Sequence, residues 1–157
     1  MAITHHQEIV VQYLTADPRV FVSEEYLVEW GTGKGQSIWV DVVAVNLTEE
    51  VVYLVEITTD PAARMIVQKL NKTYSQMLST VRASLLGGIG LSQSWQIRPW
   101  IFIRREAVSR VLSKLEVPIY PKITYLNTTA WEWEYGKARR QGVEPGKPYP
   151  DLDPKFQ

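Results

Sequence analysis

Cysteine is absent from this sequence, which excludes disulfide scaffolds, thiolate zinc sites, iron–sulfur clusters and cysteine nucleophiles. Long apolar runs are absent as well, since none approaches the ~20 residues that are needed to span a bilayer. The first eight residues also lack a basic stretch followed by a hydrophobic one, so they do not resemble a secretion signal. We therefore expect a cytoplasmic protein with no membrane partner.

A net charge is also lacking, because 17 basic residues balance 17 acidic ones. The net charge of zero therefore predicts no polyanionic partner. The distribution is uneven, however: the chain up to Asp60 has ten acidic and two basic residues, a net charge of −8, and the remainder is +8. Either the fold interleaves the two halves, or the first half contains a cation site and the second contacts phosphate groups.

What the sequence does contain is one domain's worth of patterned segments in 157 residues, 45% of them hydrophobic. The most regular is a helix that follows Asp60-Pro61, has apolar residues at steps of three and four, and ends at Gly87-Gly88. Pro99 falls in the predicted strand 96–104, and a proline is expected at the start of a strand or on an edge of the sheet. The order of the predicted helices and strands along the chain indicates an α/β fold in which helices flank a mixed sheet. The predicted helices are 4–14, 60–85 and 106–115, and the predicted strands are 19–30, 37–46, 51–58, 96–104 and 122–133.

Two carboxylates interrupt the β-branched strands 37–46 and 51–58, at Asp41 and Glu56. If the hairpin between them turns near Thr48, Asp41 and Glu56 are cross-strand neighbours. Like charges at that position destabilise a sheet unless a cation lies between them or one carboxyl keeps its proton. A hard divalent ion such as Mg²⁺ would resolve the conflict. The alternative is that both side chains point to a solvated face of the sheet.

The order α-β-β-β-α-β, with Asp41, fourteen residues and then Glu56-Ile57-Thr58, resembles the PD-(D/E)XK, or restriction-endonuclease-like, nuclease superfamily. The resemblance covers residues 8–74. It implies a restriction-endonuclease-like αβββαβ core and a metal-dependent nuclease that hydrolyses phosphodiester bonds in DNA. By the same resemblance Asp41 and Glu56 bind Mg²⁺, for which Mn²⁺ can substitute, and Glu8 of the first helix joins the metal site.

Two positions depart from the family pattern. Val40 stands where the family has proline, and Thr58 stands where it has the lysine that helps to activate water. A threonine hydroxyl offers one neutral donor and no positive charge. Members of the superfamily can place this lysine on the following helix, where Lys69 or Lys72 is the candidate here. The catalytic set implied by the resemblance is therefore Asp41, Glu56 and one of these two lysines.

The second half carries the candidates for contact with nucleic-acid phosphates. They are Arg104, Arg105, Lys137, Arg139 and Arg140, although such pairs of basic residues are also common on solvated surfaces. Residues 1–135 are expected to form the nuclease-like core, and residues 136–157 a proline-rich tail. A homodimer is expected by resemblance.

Two alternatives to the nuclease stay open. One is a catalytically silent nuclease-like module that binds nucleic acid or a protein partner, and Thr58 favours it. The other is an oligomerising protein that uses its tryptophan-rich second half and its tail as a subunit interface.

Overall fold

The computed structural model describes residues 5–116, 119–126 and 152–157. A five-stranded mixed sheet is its centre, in the order β1-β2-β3-β4-β5. The first three strands form an antiparallel meander, and β4 and β5 each add parallel to the strand before. The predicted α/β class with a mixed sheet between helices is confirmed. The strands are β1 (Val20–Glu29), β2 (Ser37–Asn46), β3 (Val51–Ile57), β4 (Gln96–Ile103) and β5 (Lys122–Tyr125).

Helices cover both faces of the sheet. Helix α1 packs on one face, which we call the back face, and the remaining helices pack on the other, the front face. Within the described residues, no helix is long and apolar enough to cross a membrane. The helices are α1 (His5–Thr15), α2 (Arg64–Gln68), α3 (Ser75–Thr80), α4 (Arg82–Ile89) and α5 (Val108–Lys114), with a π-helical turn at Lys69–Tyr74 and 3₁₀ turns at Arg105–Ala107 and Pro154–Phe156.

The prediction of one regular helix after Asp60 is only partly right. The helix begins at Arg64, contains the π-turn, bends at Val81 and ends at Ile89. Gly90 follows as its C-cap, with a left-handed φ of 84°. The start is delayed because the Asp60 carboxylate accepts hydrogen bonds from the N–H groups of Ala62 and Arg64. The apolar stripe itself is placed on the front-face core as its spacing predicts.

Pro99 is the fourth residue of β4, a strand that lies inside the sheet. It pairs with Leu54 of β3 on one side, while pairing with β5 on the other side begins only at Trp100. The strand therefore has an unpaired edge at Pro99, which is where a residue without an N–H is tolerated.

The C-terminal residues 152–157 lie against the front-face core, where Leu152 and Phe156 are buried. Arg98 of β4 donates hydrogen bonds to the backbone carbonyls of Lys155 and Gln157, at 2.7 and 3.3 Å. This end of the predicted tail is thus part of the packed domain. Residues 127–151, which include the second half of the predicted strand 122–133 and most of the predicted tail, lie outside the described residues.

Candidate active site

The hairpin register places Asp41 and Glu56 side by side. The β2–β3 ladder runs from Asn46 opposite Val51 to Val42 opposite Val55, so Asp41 and Glu56 are the next residues in the same register. The backbone ladder stops there, and the Ile57 N–H donates instead to Asp41 Oδ2 at 2.8 Å. The predicted juxtaposition therefore exists, with the Asp41 carboxylate replacing a backbone acceptor.

Asp41 also lies at an interruption of the ladder on its other side. The β1–β2 pairing passes from Glu24–Val42 to Tyr26–Val40 and omits Glu25 and Asp41. Glu25 has a φ of 50°, a left-handed conformation that interrupts regular pairing. The alternation of side chains reverses at this point, because Val42 lies in the back-face core and Val40 in the front-face core.

Glu56 is buried, with 3% of its surface exposed, while Asp41 is half-buried. The alternative, that both carboxylates point to a solvated face, is therefore wrong for Glu56. Each oxygen of its carboxylate has a donor: Tyr74 Oη lies 2.8 Å from Oε1, and Lys69 Nζ lies 2.9 Å from Oε2. Lys69 Nζ also donates to the Trp39 carbonyl at 3.3 Å.

The π-turn explains how one carboxylate receives both donors. Lys69 and Tyr74 are the first and last residues of that turn, five positions apart. In an α-helix with 3.6 residues per turn they would lie about 140° apart around the axis. Hydrogen bonds from i to i+5 bring such residues close to the same side, and π-helical turns of this kind are frequent at functional sites. The irregular turn thus presents Lys69 and Tyr74 to the same side chain.

Burial dominates the electrostatics of Glu56. Removal from water raises the pKa of its carboxyl to about 7, Lys69 lowers it, and the nearby Asp41 raises it again. The pKa of Tyr74 is also raised, by burial first and then by the adjacent Glu56. A buried carboxyl with a raised pKa beside a second carboxylate is typical of sites that perform chemistry or bind cations.

The other predicted site residues have different positions. Lys72 is exposed on the π-turn, and the hydrogen bonds and ion pairs found among the described residues do not join it to the carboxylates. Glu8 lies on α1, which packs on the back face, and its carboxylate is 3.9 Å from His5 Nδ1. The structure therefore brings Lys69, and neither Lys72 nor Glu8, to the Asp41–Glu56 pair.

Thr58, in the position of the motif lysine, forms hydrogen bonds at the end of β3. Its N–H donates to the Phe102 carbonyl, which continues the pairing of β3 with β4 by one residue. Its hydroxyl accepts the Asp60 N–H at 3.1 Å and so helps to shape the turn before α2. Thr58 therefore has a structural role in this turn.

Among the candidates for phosphate contact, Arg104 follows β4 directly and is half-buried. Strands β3 and β4 are parallel and Ile57 pairs with Phe102, so Arg104 lies near the C-terminal end of β3. The Arg105 guanidinium lies 5.7 Å from the centre of the Tyr125 ring. Lys137, Arg139 and Arg140 lie outside the described residues.

Sequence reasoning missed Tyr74 as a site residue and interpreted it only as part of the apolar stripe. The available signal was its hydroxyl, since a buried tyrosine usually finds a hydrogen-bond partner and an apolar core offers few.

Comparison of the chain with protein-family models, with curated proteins and with solved structures found no match.

Proposed function

We propose that this chain is a restriction-endonuclease-like nuclease that hydrolyses phosphodiester bonds in DNA with Mg²⁺, or with Mn²⁺ in its place. One observation carries the proposal: Lys69 Nζ lies 2.9 Å from Glu56 Oε2, beside Asp41. A positive charge therefore stands next to the two carboxylates although Thr58 occupies the position of the motif lysine. The lysine lies on the helix after β3 and not two residues after the glutamate, so its position along the chain differs from the family pattern. The set of chemical groups, two carboxylates and one ammonium, is the same.

The two carboxylates fit a magnesium ion. No group of three or more His, Cys, Asp or Glu side chains suited to a metal occurs among the described residues. Mg²⁺ does not need one, since it is usually held by one or two carboxylates, with waters and substrate phosphates as its other ligands. Asp41 and Glu56 would hold the ion, and the raised pKa of Glu56 fits a carboxyl whose proton a cation displaces.

A bound Mg²⁺ would lower the pKa of a coordinated water and polarise the phosphate. The protein groups have separate tasks. The Ile57 N–H fixes the orientation of the Asp41 carboxylate, and Tyr74 fixes that of Glu56. The Lys69 ammonium orients the attacking water and stabilises the negative charge that develops on the phosphate, which an uncharged threonine hydroxyl does poorly.

A second candidate is a catalytically silent module that binds nucleic acid or a protein. It is favoured by the completeness of the hydrogen bonding around Glu56, both of whose oxygens already have internal donors. A buried polar group satisfied in this way can be a purely structural feature of a core. The two candidates differ in whether the carboxylates bind a divalent ion.

The deciding experiment is calorimetric titration of Mg²⁺ and Mn²⁺ beside a plasmid-nicking assay, on wild-type protein, Asp41→Asn and Glu50→Gln. Glu50 is an exposed acid in the turn of the same hairpin and serves as the matched control. We expect the wild type and Glu50→Gln to bind and cleave, and Asp41→Asn to lose both properties. Absence of ion binding by the wild type, or full cleavage by Asp41→Asn, contradicts the nuclease proposal.

A further inference from the structure

Two ladders of the sheet are interrupted at the same position of β2. The β1–β2 pairing keeps one register along its length and leaves out Glu25 and Asp41, which lie opposite each other. The β2–β3 pairing ends at Val42, the residue next to Asp41. Beyond this position the described pairs of β2 are all with β1. Strand β2 therefore separates from β3 at Asp41.

Glu25 has a backbone conformation that is uncommon inside a strand. Its φ of 50° is left-handed, which crowds the Cβ atom of an L-amino acid. The other described non-glycine residues with a positive φ are Glu50, in the turn before β3, and Ala63, the N-cap of α2. Both of these lie between regular elements, whereas Glu25 lies within one. Strain of this kind persists only where the surrounding structure enforces it, and it clusters at functional sites.

Both strands turn over at the interruption. On β2, Val42 packs in the back-face core and Val40 in the front-face core. On β1, Val22 and Tyr26 differ in the same way, since Val22 packs against the back-face core and Tyr26 against the front-face core. In a regular strand, residues an even number apart point to the same face. The left-handed Glu25 supplies the reversal on β1, and β2 follows it because the two strands stay paired.

The reversal determines where the Asp41 carboxylate lies. In a regular strand this side chain would project from one face, perpendicular to the hydrogen bonds of the sheet. Because its two neighbours point to opposite faces, Asp41 extends toward β3 instead, where Oδ2 accepts the Ile57 N–H at 2.8 Å. Beyond Asp41, where β2 no longer pairs with β3, Lys69 Nζ reaches the Trp39 carbonyl at 3.3 Å. The irregular pair therefore shapes the candidate active site.

We propose that Glu25 is a positioning residue of this site and that it acts through its left-handed backbone, which turns β2 at Asp41 and directs the Asp41 carboxylate to the Ile57 N–H. The consequence for ion binding rests on the proposed nuclease function, because Asp41 is one of the two carboxylates that would hold Mg²⁺. Loss of a group that orients a metal ligand typically lowers the affinity for the metal by about 10- to 100-fold.

The test separates the backbone of Glu25 from its side chain. Glycine and asparagine tolerate the left-handed conformation and valine does not, while none of the three has the carboxylate. The variants are therefore Glu25→Gly, Glu25→Asn and Glu25→Val. Glu24→Val is the matched control, because Glu24 is the neighbouring exposed glutamate and is regularly paired. Glu25→Ala, a milder change than valine, replaces Glu25→Val if that variant does not fold.

The readout is hydrogen exchange of the Ile57 amide, measured by NMR in metal-free buffer. The amide of Val52, in the middle of β3, is the internal reference, because a loss of overall stability accelerates the exchange of both. Relative to Val52, we expect Ile57 to exchange about 10-fold faster in Glu25→Val. The rate should be that of the wild type in Glu25→Gly, Glu25→Asn and Glu24→Val. Calorimetry on the same proteins should show Mg²⁺ affinity reduced by about 10- to 100-fold in Glu25→Val alone.

The outcomes distinguish this inference from the nuclease itself. An unchanged Ile57 rate in Glu25→Val, or in the alanine variant that replaces it, overturns the positioning role. Faster exchange in all of the Glu25 variants assigns the effect to the side chain and also overturns it. The expected exchange pattern in a wild type that binds no Mg²⁺ rejects the nuclease and supports the positioning of Asp41. Equal Mg²⁺ affinities of wild type and Glu25→Val, with Ile57 exchanging faster, remove Glu25 from the ion site and overturn the proposal.

Discussion

The Lys69 ammonium and the Glu56 carboxylate form an ion pair of 2.9 Å in which the carboxylate is almost fully buried and the lysine is about one quarter exposed. Such a pair is strongly coupled, because little water screens it. It also distinguishes Lys69 from Lys72, which the sequence leaves equivalent, since both lie on the same turn and Lys69 is the one that contacts Glu56. The choice of lysine is therefore a property of the fold.

Replacement of Lys69 by methionine is predicted to reduce cleavage by about 100-fold or more. Methionine keeps an unbranched apolar stem but removes the ammonium, and the loss of one such donor to a transition state usually costs 10²–10³ in rate. The assay is cleavage of a labelled DNA at saturating Mg²⁺, with Lys72→Met as the control on the same turn. Near-normal cleavage by Lys69→Met together with loss in Lys72→Met would transfer the role to Lys72.

The pH dependence of stability is predicted to report the burial of Glu56. The pKa of its carboxyl is about 7 in the folded protein against 4.5 for the ordinary group, so between these values the folded state binds more protons than the unfolded one. The free energy of unfolding from this group is therefore greatest below about pH 4.5 and falls as the pH rises through 7. Between pH 5 and pH 8 the expected loss is about 2–3 kcal/mol.

Urea unfolding of wild type and Glu56→Gln at pH 5 and pH 8, in metal-free buffer, measures this loss. Glutamine is neutral at both values, so the variant should lack this part of the pH dependence, and the difference between the two proteins isolates Glu56 from the other titrating groups. Equal pH dependence in both proteins would mean that the carboxylate is not desolvated as the structure places it.

Much of the fold is predictable from the sequence because local patterns and tertiary packing agree. The bounds of β2 are those of the predicted strand, and the register that places Asp41 beside Glu56 follows from the short Leu47–Glu50 connection. The packing of Phe156 cannot be predicted in this way. No local pattern near the C-terminal residues indicates that Arg98 donates hydrogen bonds to the carbonyls of Lys155 and Gln157.

The candidate site is predictable only in part, and the π-turn shows why. Apolar residues at steps of three and four predict an α-helix through Lys69–Tyr74, and no residue in the turn is a helix breaker. The Glu56 carboxylate, thirteen residues before Lys69, receives both of its side-chain donors from this turn. A tertiary interaction of this kind has no local signature, so the sequence leaves Lys69 and Lys72 equivalent and Tyr74 within the core.

The hydrogen bond from Tyr74 to Glu56 is predicted to stabilise the fold and to be coupled to the charge of Glu56. In Tyr74→Phe the buried Oε1 loses its donor, which costs about 1–3 kcal/mol. A cycle with Glu56→Gln, measured by urea unfolding, gives the interaction itself. The coupling should be larger at pH 8 than at pH 5, because a hydrogen bond to a charged acceptor is stronger than one to a neutral carboxyl. If the two substitutions are additive at both pH values, Tyr74 is only a packing residue, and the π-turn then has no role in orienting Glu56.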